Sequence, residues 1–516
     1  MSSATAEFHV PPRRFIAFLA MGFGMFMAIL DIQIVSASLA EIQAGLSASS
    51  DEISWVQTSY LIAEVVMIPL SGFLGRLLST RVLFAVSAAG FTLASALCAT
   101  ATTIDEMIVY RAIQGFIGGG MIPSVFAAAF TVFPASRRPV VSPLIGLIAT
   151  LAPTIGPTVG GYVSHALSWH WLFLLNVPPG ILVAITTWSL IDFDEPEPGL
   201  LRRFDWLGLG AMAVFLGSLE YVLEEGARDD WFDSSLILAL ALVSAAAALV
   251  FFVHVLRRHE PIVDLKAFGD RNFALGSLFS AVLGVGLYGL TYVYPLYLAQ
   301  IRGHDSLQIG ETLFVSGLAM FATAPIAGRL ASKVDPRLMV MTGFLGFALG
   351  TWIMTDVTVQ WDFDQLLVPQ ILRGASLMLC IVTINNLALG TLPPAKLKNA
   401  SGLYNLMRNL GGAIGLAIIN TVLNDRTDLH LARLHSSVAW GRAAVADRLQ
   451  TLQAAFAAHG LDGSRAAVAE LAAIARRQAH VMSFADVFFL LTLLFVSLAF
   501  LAFTLHRPRR AAAGGH

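Results

Sequence analysis

The sequence predicts an all-α polytopic membrane protein with fourteen transmembrane helices, from its composition, its apolar stretches and the placement of its basic residues. Of the 516 residues, 56% are hydrophobic and 13% are charged, against about 25% charged in a soluble domain. Mean hydropathy is +0.73. Fourteen stretches reach the roughly 20 mainly apolar residues that a spanning helix needs. With the N-terminus set in the cytoplasm, nineteen lysines and arginines fall on that side, and only Arg228 and Arg302 in the short loops opposite. Short cytoplasmic loops carry this bias. The net charge of -2 provides no global field that would attract nucleic acid.

Taken in order, residues 15–40 follow Arg13 and Arg14 and form an apolar run too long for a signal-peptide core, so they read as a retained first helix. Residues 53–76 and 81–100 make helices 2 and 3, around a short loop with Arg76 and Arg81. Helices 4 to 6 fall at 104–132, 138–163 and 171–193, with Arg137 and Arg138 in the loop after helix 4. Residues 205–223 and 234–256 make helices 7 and 8, joined by an acidic loop with Glu224, Glu225, Asp229 and Asp230. Helices 9 to 13 fall at 272–299, 308–331, 336–357, 363–390 and 398–423. Helix 14 falls at 483–505, followed by Arg507, Arg509 and Arg510. The segment 424–482 is long, and long translocated loops are exempt from the charge rule. Within it Val445, Leu449, Leu452 and Phe456 recur at helical spacing, as do Val468, Leu471 and Ile474 after Asp462-Gly463-Ser464. One or two amphipathic helices outside the membrane are expected there. A solvated spacer, a partner-docking element and a gate cap all fit that pattern. Cys98 and Cys380 lie in apolar stretches, so neither a disulfide framework nor a thiolate metal site is expected.

Arg111-Ala112-Ile113-Gln114-Gly115 in helix 4 is echoed by Gln370-Ile371-Leu372-Arg373-Gly374 in helix 12, and Gly75-Arg76-Leu77 by Gly328-Arg329-Leu330. Offsets of 262 between Arg111 and Arg373 and 253 between Arg76 and Arg329 divide the chain into two related halves. Residues 1–200 form an N-terminal six-helix bundle and 201–260 two inserted transmembrane helices. Residues 261–423 hold the first five helices of a C-terminal bundle, 424–482 an extracytoplasmic amphipathic helical loop, and 483–516 the last helix with a cytoplasmic tail. Two related six-helix halves are the architecture of the major facilitator fold, with the substrate site between them near the bilayer midplane.

A charged side chain at the bilayer centre costs roughly 2.5 to 17 kcal/mol, so each one retained is a functional candidate. Asp31, Glu64, Arg111, Arg373 and Arg408 lie deepest, with Glu220, Glu311 and Asp486 nearer helix ends. At about 1.5 Å per residue, Asp31, Glu64, Arg111 and Arg373 sit roughly 14, 16, 10 and 15 Å from the outer ends of helices 1, 2, 4 and 12. A carboxyl in such a layer gains or loses its proton according to its neighbours, whereas arginine keeps its own. Asp31 and Glu64 are therefore candidate proton carriers and Arg111 their fixed counter-charge. The structural alternatives are a static Asp31–Arg111 ion pair, a permanently protonated Glu64, and an Arg111 clamped on backbone carbonyls. Glu220 reads as an interfacial side chain snorkelling to water. Candidate substrate-pathway residues are Gln114, Tyr288, Tyr292, Arg373 and Asn386. Aromatic and methionine side chains suit an adaptable pocket, and equally fill cores. In helix 5, Pro153, Gly156, Pro157, Gly160 and Gly161 place small residues on a recurring face and free a carbonyl for a bend. They are candidate conformational residues, for close packing or for a pivot between the halves.

Several motifs together carry a family resemblance. Leu30-Asp31-Ile32-Gln33-Ile34-Val35-Ser36-Ala37, Arg111 to Gly115, and Gly156-Pro157 to Gly161 resemble the helix 1, helix 4 and helix 5 motifs of fourteen-helix drug:proton antiporters of the major facilitator superfamily. Trp55 to Tyr60, Trp169-His170-Trp171 with Asn176-Val177-Pro178, Pro261 to Leu265, and Arg408-Asn409-Leu410-Gly411-Gly412 are similar to that branch as well. The resemblance runs from about residue 14 to 506 and is nearest to the EmrB-type multidrug exporters. It implies proton-coupled export of hydrophobic or amphiphilic toxic compounds from the cytoplasm or inner leaflet. It also implies the cell inner membrane with both termini cytoplasmic, and a periplasmic adaptor with an outer-membrane channel as partners. Two positions depart from the pattern. The loop after helix 2 has Arg76 and Ser79 and lacks the acidic residue of the usual cytoplasmic latch. Glu64 stands where a neutral residue such as asparagine is usual.

An exporter of one endogenous metabolite, or a proton-coupled importer, would need the same buried groups. An enzyme is not expected, since no His-Glu-x-x-His or Gly-x-Ser-x-Gly arrangement occurs. No cofactor or metal is implied, the energy source being the proton gradient.

Overall fold

The computed structural model describes residues 11–134, 138–258, 260–437, 442–458 and 462–505. Among them no strand occurs, and fourteen helices are long and apolar enough to cross a membrane. Helices 1 to 6 are Pro12–Ala37, Glu52–Leu78, Thr80–Cys98, Ile104–Val132, Val141–Ala166 and His170–Leu190. Helices 7 and 8 are Trp206–Glu225 and Ser235–Arg257. Helices 9 to 14 are Arg271–Arg302, Leu307–Lys333, Pro336–Asp356, Phe363–Leu389, Ala395–Ser437 and Gly463–Thr504. An even number of spans puts residues 12 and 504 on one face, called here the terminal face, with the distal face opposite.

Acidic and hydroxyl side chains decide where many of these helices start. Ser49 with Glu52, Asp305 with Gln308, and Asp362 with Gln365 form reciprocal capping boxes at the distal starts of helices 2, 10 and 12. Asp205, Asp270 and Asp335 cap helices 7, 9 and 11 at the terminal face. Each cap accepts from an N–H that the first helical turn leaves free. Outward faces are apolar, as lipid requires. Leu242, Leu249 and Leu256 of helix 8 are 63, 67 and 72% exposed.

Helices 1–6 pack as one bundle and 9–14 as another. They meet where helix 5 runs along helices 10 and 12, and where helix 13 lies against helix 2 and the second part of helix 4. Helix 7 is wedged between helices 2 and 13. The Trp55 and Tyr221 rings lie 5.2 Å apart at a tilt of 37°, Thr58 donates to Glu225 at 3.0 Å, and a Cβ on Gly217 would meet Ile62 at 3.3 Å. In the loop that follows helix 7, the Trp231 indole donates to Thr421 of helix 13 at 2.9 Å.

Helices 13 and 14 run well past the expected limits of 398–423 and 483–505. The segment 424–482 therefore consists largely of their continuations, plus a separate helix Ala443–Ala457. No proline or glycine interrupts 424–437 or 464–482, so nothing stops either helix where its apolar stretch ends. Leu449 is buried and Val445, Leu452 and Phe456 half-buried in the helix that packs on helix 14, as the stripe predicts. Val468, by contrast, is 44% exposed, and the buried face there is formed by Ala467, Ala475 and Ala479. Small residues let two helices approach more closely than a valine stripe would. Arg137, Arg507, Arg509 and Arg510, used above for orientation, lie outside the described residues.

Candidate substrate cavity and buried charge cluster

Asp31 and Arg111 form an ion pair with Nη1 2.5 Å from Oδ2 and no solvent exposure on either side chain. Three further groups complete it. Arg111 Nη1 donates to Gln114 Oε1 at 2.7 Å, while Gln114 Nε2 and Asn176 Nδ2 donate to Asp31 Oδ1 at 3.2 and 2.7 Å. Asn176 also donates to Ser95, so helices 1, 3, 4 and 6 are tied at one point. Arg111 Nε donates to the Val56 carbonyl at 3.1 Å, and its guanidinium lies 4.2 Å from the Tyr60 ring centroid. A buried pair is stabilised by hydrogen bonds to its remaining donors and acceptors; Asp31 receives three donors, whereas Arg111 Nη2 has no partner. Gln114, expected in the substrate pathway, belongs to this cluster inside the N-terminal bundle. Asn176 and Ser95 escaped the sequence reading as members of the cluster, although Asn176-Val177-Pro178 had stood out as a motif.

Glu64 lies one helical turn beyond Tyr60 along helix 2. Gly115 and Gly119 of helix 4 let helix 2 come close. A Cβ on Gly119 would lie 3.0 Å from the Glu64 carbonyl, and one on Gly115 would collide with the Tyr60 carbonyl. Glu64 is 3% exposed and its Oε1 has no hydrogen-bond partner. It lines a cavity of about 640 Å³ between the halves, bounded by helices 1, 2, 5, 7, 9, 10 and 13. The wall runs from Glu64 and Glu220 to His304 and Asp305 in the distal loop between helices 9 and 10. Glu220 is 6% exposed, with Oε2 unpartnered. It faces this cavity and does not snorkel, because helix 7 is held between helices 2 and 13 instead of standing in lipid.

Tyr288 and Tyr292 line the cavity, as does Pro157. Helix 9 has a π-helical turn at Val285–Gly289, which sets Tyr288 toward helix 13, and its hydroxyl donates to Asn409 at 3.2 Å. Such turns concentrate at functional positions. The Arg408 to Gly412 motif brings the two helices together, since a Cβ on Gly411 would collide with the Ala281 carbonyl and one on Gly412 with the Tyr288 ring. Arg408 bonds to Asn405 and faces the Phe126 ring at 4.9 Å. Arg373 is outside the cavity wall. It donates to Thr291, a wall residue, at 2.5 Å and to Gln370 at 3.3 Å. Asn386 is also away from the wall, and accepts from Ser142 of helix 5 at 2.8 Å. In helix 5, Gly156 packs on Gln33 and Gly160 on Ile34. Pro153 and Gly161 are buried in the same stretch.

Contacts between the halves close the terminal face. Lys398 at the start of helix 13 bonds to the Asp194 carboxylate and, at 2.8 Å, to the Gly75 carbonyl. Asp194 also accepts from the Thr80 amide at 3.0 Å. Nearby, Ser401 donates to the Pro123 carbonyl at 3.0 Å. The acidic group missing from the loop after helix 2 is thus supplied from the loop after helix 6. Such a substitution is invisible along the chain, because Asp194 and Thr80 are joined only by folding.

The profile described as the Major Facilitator Superfamily matches residues 21–416. The colistin resistance protein EmrB of Acinetobacter baumannii is 40% identical, over 98% of this chain and 99% of that one. The chain belongs to the Major Facilitator Superfamily. This EmrB-type facilitator is also 31% identical to the fatty acid resistance protein FarB of Neisseria gonorrhoeae, over 80% of this chain and 82% of that one. The multidrug export protein EmrB of Escherichia coli K12 is 30% identical, over 81 and 82%. Among solved structures, the human organic anion transporter MFSD10 superposes with a TM-score of 0.59 at 14% identity, covering 94% of this chain and 100% of the other. The proton:xylose symporter XylE gives 0.57 at 13%, covering 95 and 97%. These two likenesses concern the fold alone. The facilitator is a multi-pass membrane transporter and not an enzyme.

Proposed function

We propose that the protein is a proton-coupled antiporter that expels hydrophobic or amphiphilic toxic compounds, with the cavity between its halves as the substrate site. The observation that carries this reading is Glu64, buried on the cavity wall with no cation bonded to its carboxyl. A carboxyl so placed can exchange a proton for an occupant. The buried Asp31–Arg111 pair, which joins helices 1 and 4 and reaches helix 6 through Asn176, is the second ionisable unit of this proton coupling. Helix 5, with Pro153, Gly156, Pro157, Gly160 and Gly161, carries the sliding contact between the halves. Relatives named for colistin resistance, fatty acid resistance and multidrug export support export of toxic amphiphiles.

The loop charge bias supports a cytoplasmic terminal face in the cell inner membrane. The cavity wall then reaches the outer side while the cytoplasmic side is latched, which is the arrangement for release. The segment 424–482, joined to the distal ends of helices 13 and 14, is the candidate contact for a periplasmic adaptor and an outer-membrane channel. The test uses the purified full chain in proteoliposomes with an imposed pH gradient. Adding a lipophilic substrate should discharge the gradient while substrate moves against the protons. No discharge overturns the coupling, and substrate movement in the same direction as the protons makes the protein an importer.

A further inference from the structure

Helix 7 belongs to the inserted pair, yet it supplies one wall of the cavity and places Glu220 there. Glu64 and Glu220 are each more than nine-tenths buried, each has a carboxyl oxygen without a partner, and both line one cavity. Glu224 and Asp305 lie on the same wall, whereas among the described residues no lysine or arginine does. His304, the one basic wall residue among those described, sits in the distal loop. We propose that the cavity is a site for lipophilic dications, with Glu64 and Glu220 as joint counter-charges. This rests on the cavity's being the substrate site.

The argument is electrostatic. Two carboxyls in one partly desolvated space repel when both are ionised, so an empty or singly charged occupant leaves one of them neutral. An occupant with two positive centres allows both to ionise, and gains a second attraction that a monocation cannot. The Tyr288 and Tyr292 rings offer faces for quaternary nitrogen, and Leu61, Leu223 and Leu416 take up an apolar body. Inserted helices in this reading determine specificity, since without helix 7 the wall would keep Glu64 alone at this depth.

The experiment measures equilibrium binding to the purified full-length protein by fluorescence, with a matched pair of probes. One is a decane bearing a quinolinium at each end, the other a decane bearing a single quinolinium. The dication should bind the wild type about tenfold more tightly or better. Glu220→Gln should remove that preference, bringing the dication to within about threefold of the monocation, whose own affinity changes less. Glu64→Gln should have the same effect. Equal affinity of both probes for the wild type overturns the proposal without any variant, and so does a Glu220→Gln protein that keeps the tenfold preference. A neutral amphiphile tested in the proteoliposome assay separates the two readings. Its proton-driven export continues if only the dication site is wrong, and fails if the exporter reading is wrong.

Discussion

Arg111 on helix 4 holds Asp31 on helix 1 at 2.5 Å in a space that water does not reach, while Glu64, four residues beyond Tyr60, has a carboxyl oxygen with no partner. The two carboxyls therefore differ in what their loss should cost. Removing one partner of a buried ion pair costs about 3–5 kcal/mol. Asp31→Asn is expected to lower the thermal midpoint of the purified protein and abolish gradient discharge. Glu64→Gln should abolish discharge with the midpoint unchanged. Differential scanning fluorimetry and the proteoliposome assay, run on both variants, check this. Equal midpoints for Asp31→Asn and wild type would show that the pair does not stabilise the fold.

Helix 5 approaches helix 1 so closely at Gly160 that an added Cβ would stand 2.7 Å from the Ile34 carbonyl oxygen. The backbone must shift to admit it, at about 1–3 kcal/mol. Gly160→Ala should lower both stability and transport rate. At Gly199, where a Cβ would meet nothing within 4 Å, the same substitution should do neither.

The Lys398–Asp194 bond latches the terminal face. Lys398→Ala should populate conformations in which that face opens, and speed maleimide labelling of a cysteine placed at Asn386 by roughly tenfold. Asp194→Asn should act similarly, and the double variant should add little to either single one, as partners in one contact do. Additive effects would mean that the two residues act apart.

Replacing residues 430–478 by a short Gly/Ser linker removes the Ala443–Ala457 helix, most of the helix 14 extension on which it packs, and the end of helix 13. Gradient discharge in proteoliposomes should persist while resistance of a double-membraned cell is lost. Full resistance with continued adaptor co-purification would exclude a docking role. Loss of transport in proteoliposomes would assign the segment to the gate, through the bond of His430 to Asp486.

By itself the sequence determined the fourteen spans, the two halves and the resemblance to EmrB-type exporters, because each is written locally. Apolar length decides a span. It also marked Asp31, Glu64 and Arg111, since a charge at membrane depth stands out in any apolar stretch. Tertiary structure alone decided which of them touch. Asp31 and Arg111 are 80 residues apart and pair directly. Gln114, Arg373 and Asn386 point into bundles or contacts and not into the cavity, because position along a helix says nothing of azimuth. Glu220 was misread for the same reason: near a helix end a carboxylate reaches water if lipid surrounds it and a cavity if protein does. The ends of helices 13 and 14 escaped as well, since apolar length measures the membrane and only a cap or breaker ends a helix.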